Sequence, residues 1–175
     1  LAHPLFARLE RQLVLVRAEL ANALEADRRF RALRAAGGGR LYHECSHGAS
    51  LADGVAAICS ALESVLESLA NEVDGYVPRG EGSHAALVDA MSAALPGVRP
   101  AVLSERTRAL MHEARRLRHV VRHRYALELR LGDVRRNLAL ARRLVPAFNR
   151  DFRHFVARMD RAARPTSRRR KKEGR

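Results

Sequence analysis

Apolar residues recur along this chain at spacings of three and four, and no segment alternates apolar and polar positions as a strand would. In the first segment Leu9, Leu13, Val16, Leu20 and Leu24 follow that rhythm on a background of Ala, Glu and Arg. The spacing predicts a helix from about Pro4, a residue favoured in a first helical turn, to about Ala36. Gly37-Gly38-Gly39 then breaks it. Val55, Ile58, Leu62, Leu66 and Leu69 mark a second helix, ended by Asp74-Gly75 and followed by a loop from Pro78 to Gly82. A shorter helix is predicted over about Ser83 to Ala94. Leu95-Pro96-Gly97 ends it, Pro100 keeps the next stretch extended, and Ser104 reads as the N-cap of a helix reaching about Tyr125.

The last helix, from about Asp133, has the cleanest pattern. Leu138, Ala141, Val145, Phe148, Phe152, Phe155 and Met159 alternate spacings of three and four, a packing seam whose three Phe belong in a core or a dimer contact. Pro146 deletes one backbone hydrogen bond and is expected to bend it. The fold class is therefore all-α, a bundle of four to five helices with a long N-terminal helix.

Composition narrows what such a bundle can do. The chain has 175 residues, 47% of them hydrophobic, which is enough for a core and fits one domain. No apolar run approaches the ~20 residues of a membrane span, so no membrane role is expected. Two cysteines suit a reducing, cytoplasmic setting. Net charge is +14, which points to a polyanion, most simply nucleic acid. The stretch 164–175 holds seven cationic residues and one Glu and is expected to be disordered; the remainder still carries +8. Arg168, Arg169, Arg170, Lys171 and Lys172 in it are candidate RNA contacts, or else simply a solvated terminus. With no Trp, three Tyr and five Phe, a base-stacking sheet is disfavoured. Both Lys lie in the tail, so the glycine triplet is no Walker loop.

Two motifs carry candidate chemistry. His43-Glu44-Cys45-Ser46-His47 is an H-E-x-x-H string, with Asp53 at the spacing of a third zinc ligand. The Gly that would let the chain turn back to the metal is Ser50, and no edge strand is predicted to hold a substrate. Exposed polar residues at a helix start are the better reading, and neither metal nor cofactor is assigned. The second motif lies in Arg118-His119-Val120-Val121-Arg122-His123-Arg124-Tyr125. With Arg118 at zero on a wheel of ~100° per residue, Arg122 and Tyr125 fall within about 40° and His119 and His123 on the adjacent face. Leu110, Leu117, Val120 and Val121 take the roughly opposite arc.

A face of His, Arg and Tyr without an acid suits a polyanion. An imidazole titrates near neutrality, so His123 can exchange a proton with a ribose 2′-oxygen or a leaving 5′-oxygen, and the Arg118 fork can hold transition-state charge. Acid and base are both needed, which a symmetric dimer would supply. Arg122 and Arg124 are further candidate phosphate contacts. The plainer alternative is a basic face that only binds phosphate.

The pattern Arg118, four residues, His123, one residue, Tyr125 resembles the R-x4-H-x-Y signature of the HepT-like toxins of the HEPN superfamily. His119 fits the residue type that the superfamily tends to place after the Arg. The resemblance extends over roughly Leu51 to Met159, taking in LADGVAAICSALESVLESLANEVDG and PGVRPAVLSERTRAL. It implies a helical homodimer with a basic cleft and metal-independent endoribonuclease activity on tRNA or mRNA. Arg118 and His123 would be catalytic and His119 assisting. It further implies an antitoxin partner of the minimal nucleotidyltransferase (MNT) type, which would adenylylate Tyr125.

On this reading residues 1–40 are an N-terminal helix and glycine-rich break, 41–163 a HEPN/HepT-like domain, and 164–175 a basic tail. The alternative function is a catalytically silent helical module binding RNA or a nucleotidyltransferase.

Overall fold

The computed structural model describes residues 3–37, 41–123 and 131–163, with side chains throughout except at 41–43, 45 and 116–123. The described residues form five α-helices: α1 (Pro4–Ala35), α2 (Leu41–Leu69), α3 (Ser83–Ser92), α4 (Glu105–His123) and α5 (Leu131–Ala162). No strand occurs among them; an isolated bridge pairs Leu95 with Arg99.

Each helix forms where its apolar stripe finds a partner. In α1 the Nδ1 of His3 accepts from the Leu5 amide at 3.3 Å, and Pro4 occupies the first turn. Leu5, Phe6, Leu9, Leu13, Val16, Leu20, Ala23 and Phe30 are buried along it. This stripe packs on α2 and α5, so α1 shares one continuous core with the rest of the bundle. Gly37, at φ +81°, adopts a backbone that side-chain-bearing residues rarely take, which is why the helix stops there.

The end of α2 widens into a π-helical turn, Ala70–Asp74, closed by Gly75 in the left-handed conformation. The amides of Gly75 and Tyr76 both reach the Ala70 carbonyl, a shared acceptor that ends the helix. Ser46–Asp74 is long and apolar enough to cross a membrane by length and composition, although charged and polar residues interrupt its apolar run. Half of its most apolar 18-residue window is buried in the bundle, where Leu62, Val65, Leu66 and Leu69 are almost wholly covered.

The connection from α3 to α4 is held by polar groups. The amides of Val102 and Leu103 donate to the Met91 carbonyl at 2.9 and 3.1 Å. Arg99 is 2% exposed at its side chain and forms a two-pronged ion pair with Asp74, Nε to Oδ1 at 2.6 Å and Nη2 to Oδ2 at 2.8 Å. It also donates to the carbonyls of Ala90, Ala93 and Pro100. Ser104 caps α4 as the spacing predicts, its Oγ accepting from the Thr107 amide at 3.3 Å. Asp151 of α5 in turn accepts from the Ser104 hydroxyl at 2.7 Å and amide at 2.8 Å, tying the start of α4 to α5.

In α5 the seam is core: Leu138, Ala141, Val145, Phe148, Phe152 and Phe155 are buried, and Met159 is half-buried at its edge. The Phe155 ring meets Phe6 of α1 edge-on, centroids 5.8 Å apart. Helical structure continues through Pro146, which faces outward. Asn149 lies one turn on; its amide donates to the Val145 carbonyl at 2.8 Å while its oxygen accepts from Arg17 of α1.

Candidate nucleic-acid interface

The motif stretch falls on the last turns of α4. Positions 118, 119, 122 and 123 are helical, and their side chains lie outside the described residues, as do Arg124, Tyr125 and the tail positions Arg168, Arg169, Arg170, Lys171 and Lys172. The helix is held against α5, α3 and α2, with Leu110, Met111 and Ala114 buried and Thr107 fully enclosed. Leu110 thus takes the inward position expected of it.

The described half of α4 shows the kind of surface that leads into the motif. Glu105, Arg108, Ala109, His112 and Arg115 line a shallow open hollow of about 380 Å³. Asp89 of α3 accepts from Arg108 Nε and pairs with His112 Nε2, each at 2.8 Å, and Glu105 holds the other side of the Arg108 guanidinium at 2.9 Å. Arg108 first, then His112, keeps the Asp89 carboxyl below the usual carboxylate range. Hydrogen bonding to Asp89, with the charge of Glu105, raises Arg108 in return.

Arg115 is different. It is half-buried, and its Nε is fully enclosed without a hydrogen-bond partner among the described residues. Residues 118 and 119 follow it by three and four positions, one helical turn further on. So the stripe 108, 112, 115 runs straight toward the motif, and its acids are spent on Arg108 and His112 at the end remote from it.

The H-E-x-x-H string lies at a helix start as expected, with Ser46 exposed, but Glu44 and His47 are partly covered. It occupies the opening turns of α2, where Glu44 pairs with Arg34 of α1 and is only part-exposed. The His47 ring stacks on Phe30, centroids 4.2 Å apart and 16° from parallel. Its side chain is 14% exposed, with Nε2 3.7 Å from Asp27 Oδ1. Packing against the end of α1 covers these residues, because α1 and α2 meet directly across the glycine break. Side chains of His43 and Cys45 are outside the described residues, and Asp53 is exposed. No three His, Cys, Asp or Glu side chains gather as a metal site among the described residues.

Buried charge is what pattern reading missed. Asp27 is nearly enclosed and receives Arg135 of α5 at 2.7 Å and Arg31 at 3.0 Å. It falls on the buried stripe of α1, after Leu20 and Ala23 and before Phe30, so an acid in an apolar register was the available signal. Asp151, between Phe148 and Phe155 in the α5 seam, carries the same signal.

A family model described as HepT-like protein matches residues 50–159, from the middle of α2 to the last turn of α5 and across the whole of α4. Comparison with curated proteins and with solved structures gives no match. The family match supports a fold of the toxin-related ribonuclease type, which the all-α bundle accommodates. With that match covering more than half of its length, the chain belongs to the HepT-like family of the HEPN superfamily.

Proposed function

We propose that the protein is a metal-independent endoribonuclease and the toxin of a toxin–antitoxin pair, with a nucleotidyltransferase of the MNT type as its partner. The observation that carries this reading is the family match spanning residues 50–159, with Arg118, His123 and Tyr125 inside it. Support comes from the helical placement of 118, 119, 122 and 123 and from the basic stripe leading to them.

The chemistry needs three contributions, and the motif has a residue type for each. His123 accepts the 2′-OH proton, and the 2′-oxygen forms a bond to phosphorus as the bond to the 5′-oxygen breaks. A second imidazole, His119 or a His of a second copy, returns a proton to the 5′-oxygen. Arg118 holds the charge that builds on the phosphoryl oxygens. A 2′,3′-cyclic phosphate and a 5′-hydroxyl result, and no water is consumed. Two copies in a homodimer would face each other across the RNA. Adenylylation of Tyr125 would place a negative group beside His123 and oppose RNA entry. Arg122 and Arg124, with the cluster 168–172, would hold the backbone.

The test incubates wild-type protein and His123→Ala with tRNA and total RNA in EDTA and maps the ends. Cleavage by wild type alone, leaving cyclic phosphate, is the expected result. Salt-sensitive RNA binding by both proteins without cleavage by either would instead establish the catalytically silent module.

A further inference from the structure

Helix α5 carries a second basic surface, unused by the proposed chemistry. Because α5 runs back along α4 from Asp151 beside Ser104, its Arg136 end comes level with the motif turns and its Arg161 end lies far from them. Eight arginines stand against three aspartates along its 32 residues. Arg136, Arg143, Arg150, His154, Arg158 and Arg161 are all exposed, and at ~100° per residue they fall within an arc of about 80°. Exposed Arg142 and Arg153 lie about 60–80° beyond one edge of that arc. From 136 to 161 the stripe is about 37 Å long at ~1.5 Å per residue.

Among the described residues little neutralises it. Asp133 pairs with Arg136 at one end. Asp151 is buried and committed to Ser104, with its second oxygen a distant 3.8 Å from Arg150. Arg142, Arg143, Arg158 and Arg161 have no ion pair among the described residues. The opposite face of the helix is the Phe148–Phe155 seam, which fixes the orientation of the stripe and leaves no apolar face for lipid. Between and beside the cations stand exposed Ala139, Pro146 and Ala157, and Leu140 and Ala147, which fall within the same arc, are buried; no aromatic ring is offered for base stacking.

We propose that this face of α5 is a docking track for single-stranded RNA, read through its phosphates without regard to sequence. Guanidinium forks match phosphate oxygens in pairs, and the cations recur at one- and two-turn intervals along one helix. Beyond Ala163 the chain continues into seven more Lys and Arg, so the track and the tail form one run of positive charge in sequence. The track would hold RNA whether or not the motif cleaves it.

The experiment uses the full chain and a 2′-O-methylated RNA 20-mer of scrambled sequence, which cannot cyclise, so binding is read independently of any cleavage. Affinity is measured by fluorescence anisotropy across salt concentrations. Removing three phosphate contacts in Arg143→Gln/Arg150→Gln/Arg158→Gln should lower the slope of log affinity against log salt by about 2, at ~0.7 per contact. The control Arg8→Gln/Arg28→Gln/Arg29→Gln removes the same charge from α1 and should leave the slope within about 0.5 of wild type. An equal loss in both variants would show a response to net charge alone and overturn the track. An unchanged slope in the α5 variant would do the same, and so would binding to phosphatidylserine vesicles without binding to the RNA.

Discussion

Removing the Arg99 side chain should cost more than any other single change in the loop between α3 and α4. Its guanidinium makes two bonds to Asp74 and three to main-chain carbonyls, and it is 2% exposed. In Arg99→Ala, the Asp74 carboxylate stays 11% exposed in its present setting and loses its partner, while Ala90, Ala93 and Pro100 lose a donor. Stranding one member of a buried pair typically costs about 3–5 kcal/mol. Asp74 sits at the end of the π turn beside the exposed Gly75, where water can reach it, so the low end, about 3 kcal/mol, is expected. For a chain of this size that is a fall in Tm of about 6–12 °C by calorimetry. Much of the loss is Asp74's desolvation, so Arg99→Ala/Asp74→Ala should be less destabilised than the two single losses added, by about 2 kcal/mol. Arg99→Lys keeps the charge without the fork and should fall between wild type and Arg99→Ala. A drop under about 2 °C for Arg99→Ala, or strict additivity in the cycle, would refute the view that this pair holds the loop.

Two further changes probe other ties. Asp27→Asn keeps the shape but removes the charge that Arg135, Arg31 and His47 face; Arg31 is largely solvated already. A loss of about 2 kcal/mol in urea unfolding is expected, with faster amide exchange where α1 meets α2; a loss below about 0.5 kcal/mol would mean that the cluster ties nothing. Asp89 has a folded pKa below its unfolded one, held there by Arg108 and His112. Its contribution is therefore present above about pH 4 and lost as pH falls through the folded value. Half-exposure screens it, so the effect should stay within about 1 kcal/mol. Asp89→Asn should lower Tm slightly at pH 7 and merge with wild type at pH 2; an unchanged difference at pH 2 would contradict the assignment.

What the sequence made legible was periodic. The α5 seam, the Ser104 cap, Pro4 at the start of α1 and Gly75 at the end of the π turn each follow from a local rule, and each stands where that rule puts it. Charges that act at long range were not legible. Arg99 and Asp74 are 25 residues apart and Asp27 and Arg135 are 108 apart, and no spacing rule connects such positions. The partial covering of Glu44 and His47 at the start of α2 was hidden for the same reason. Whether a helix start is exposed depends on the neighbouring helix, and here α1 folds back over His47. The motif on α4 was legible as a pattern of residue types, and its helical setting up to His123 agrees with it.

The closure of α1 onto α5 also sets a schedule for synthesis. Arg17 meets Asn149 across 132 residues, and Asp27 meets Arg135 across 108. At about 5–20 residues per second, α1 is complete roughly 5 to 25 s before those partners exist. Its apolar stripe can pair early with α2, which follows directly in the chain and packs along it. The groove between those two helices, with Phe6 at one end and Phe30 toward the other, then waits for Phe148, Phe152 and Phe155. A nascent α1–α2 hairpin therefore leaves apolar surface open until α5 emerges to cover it.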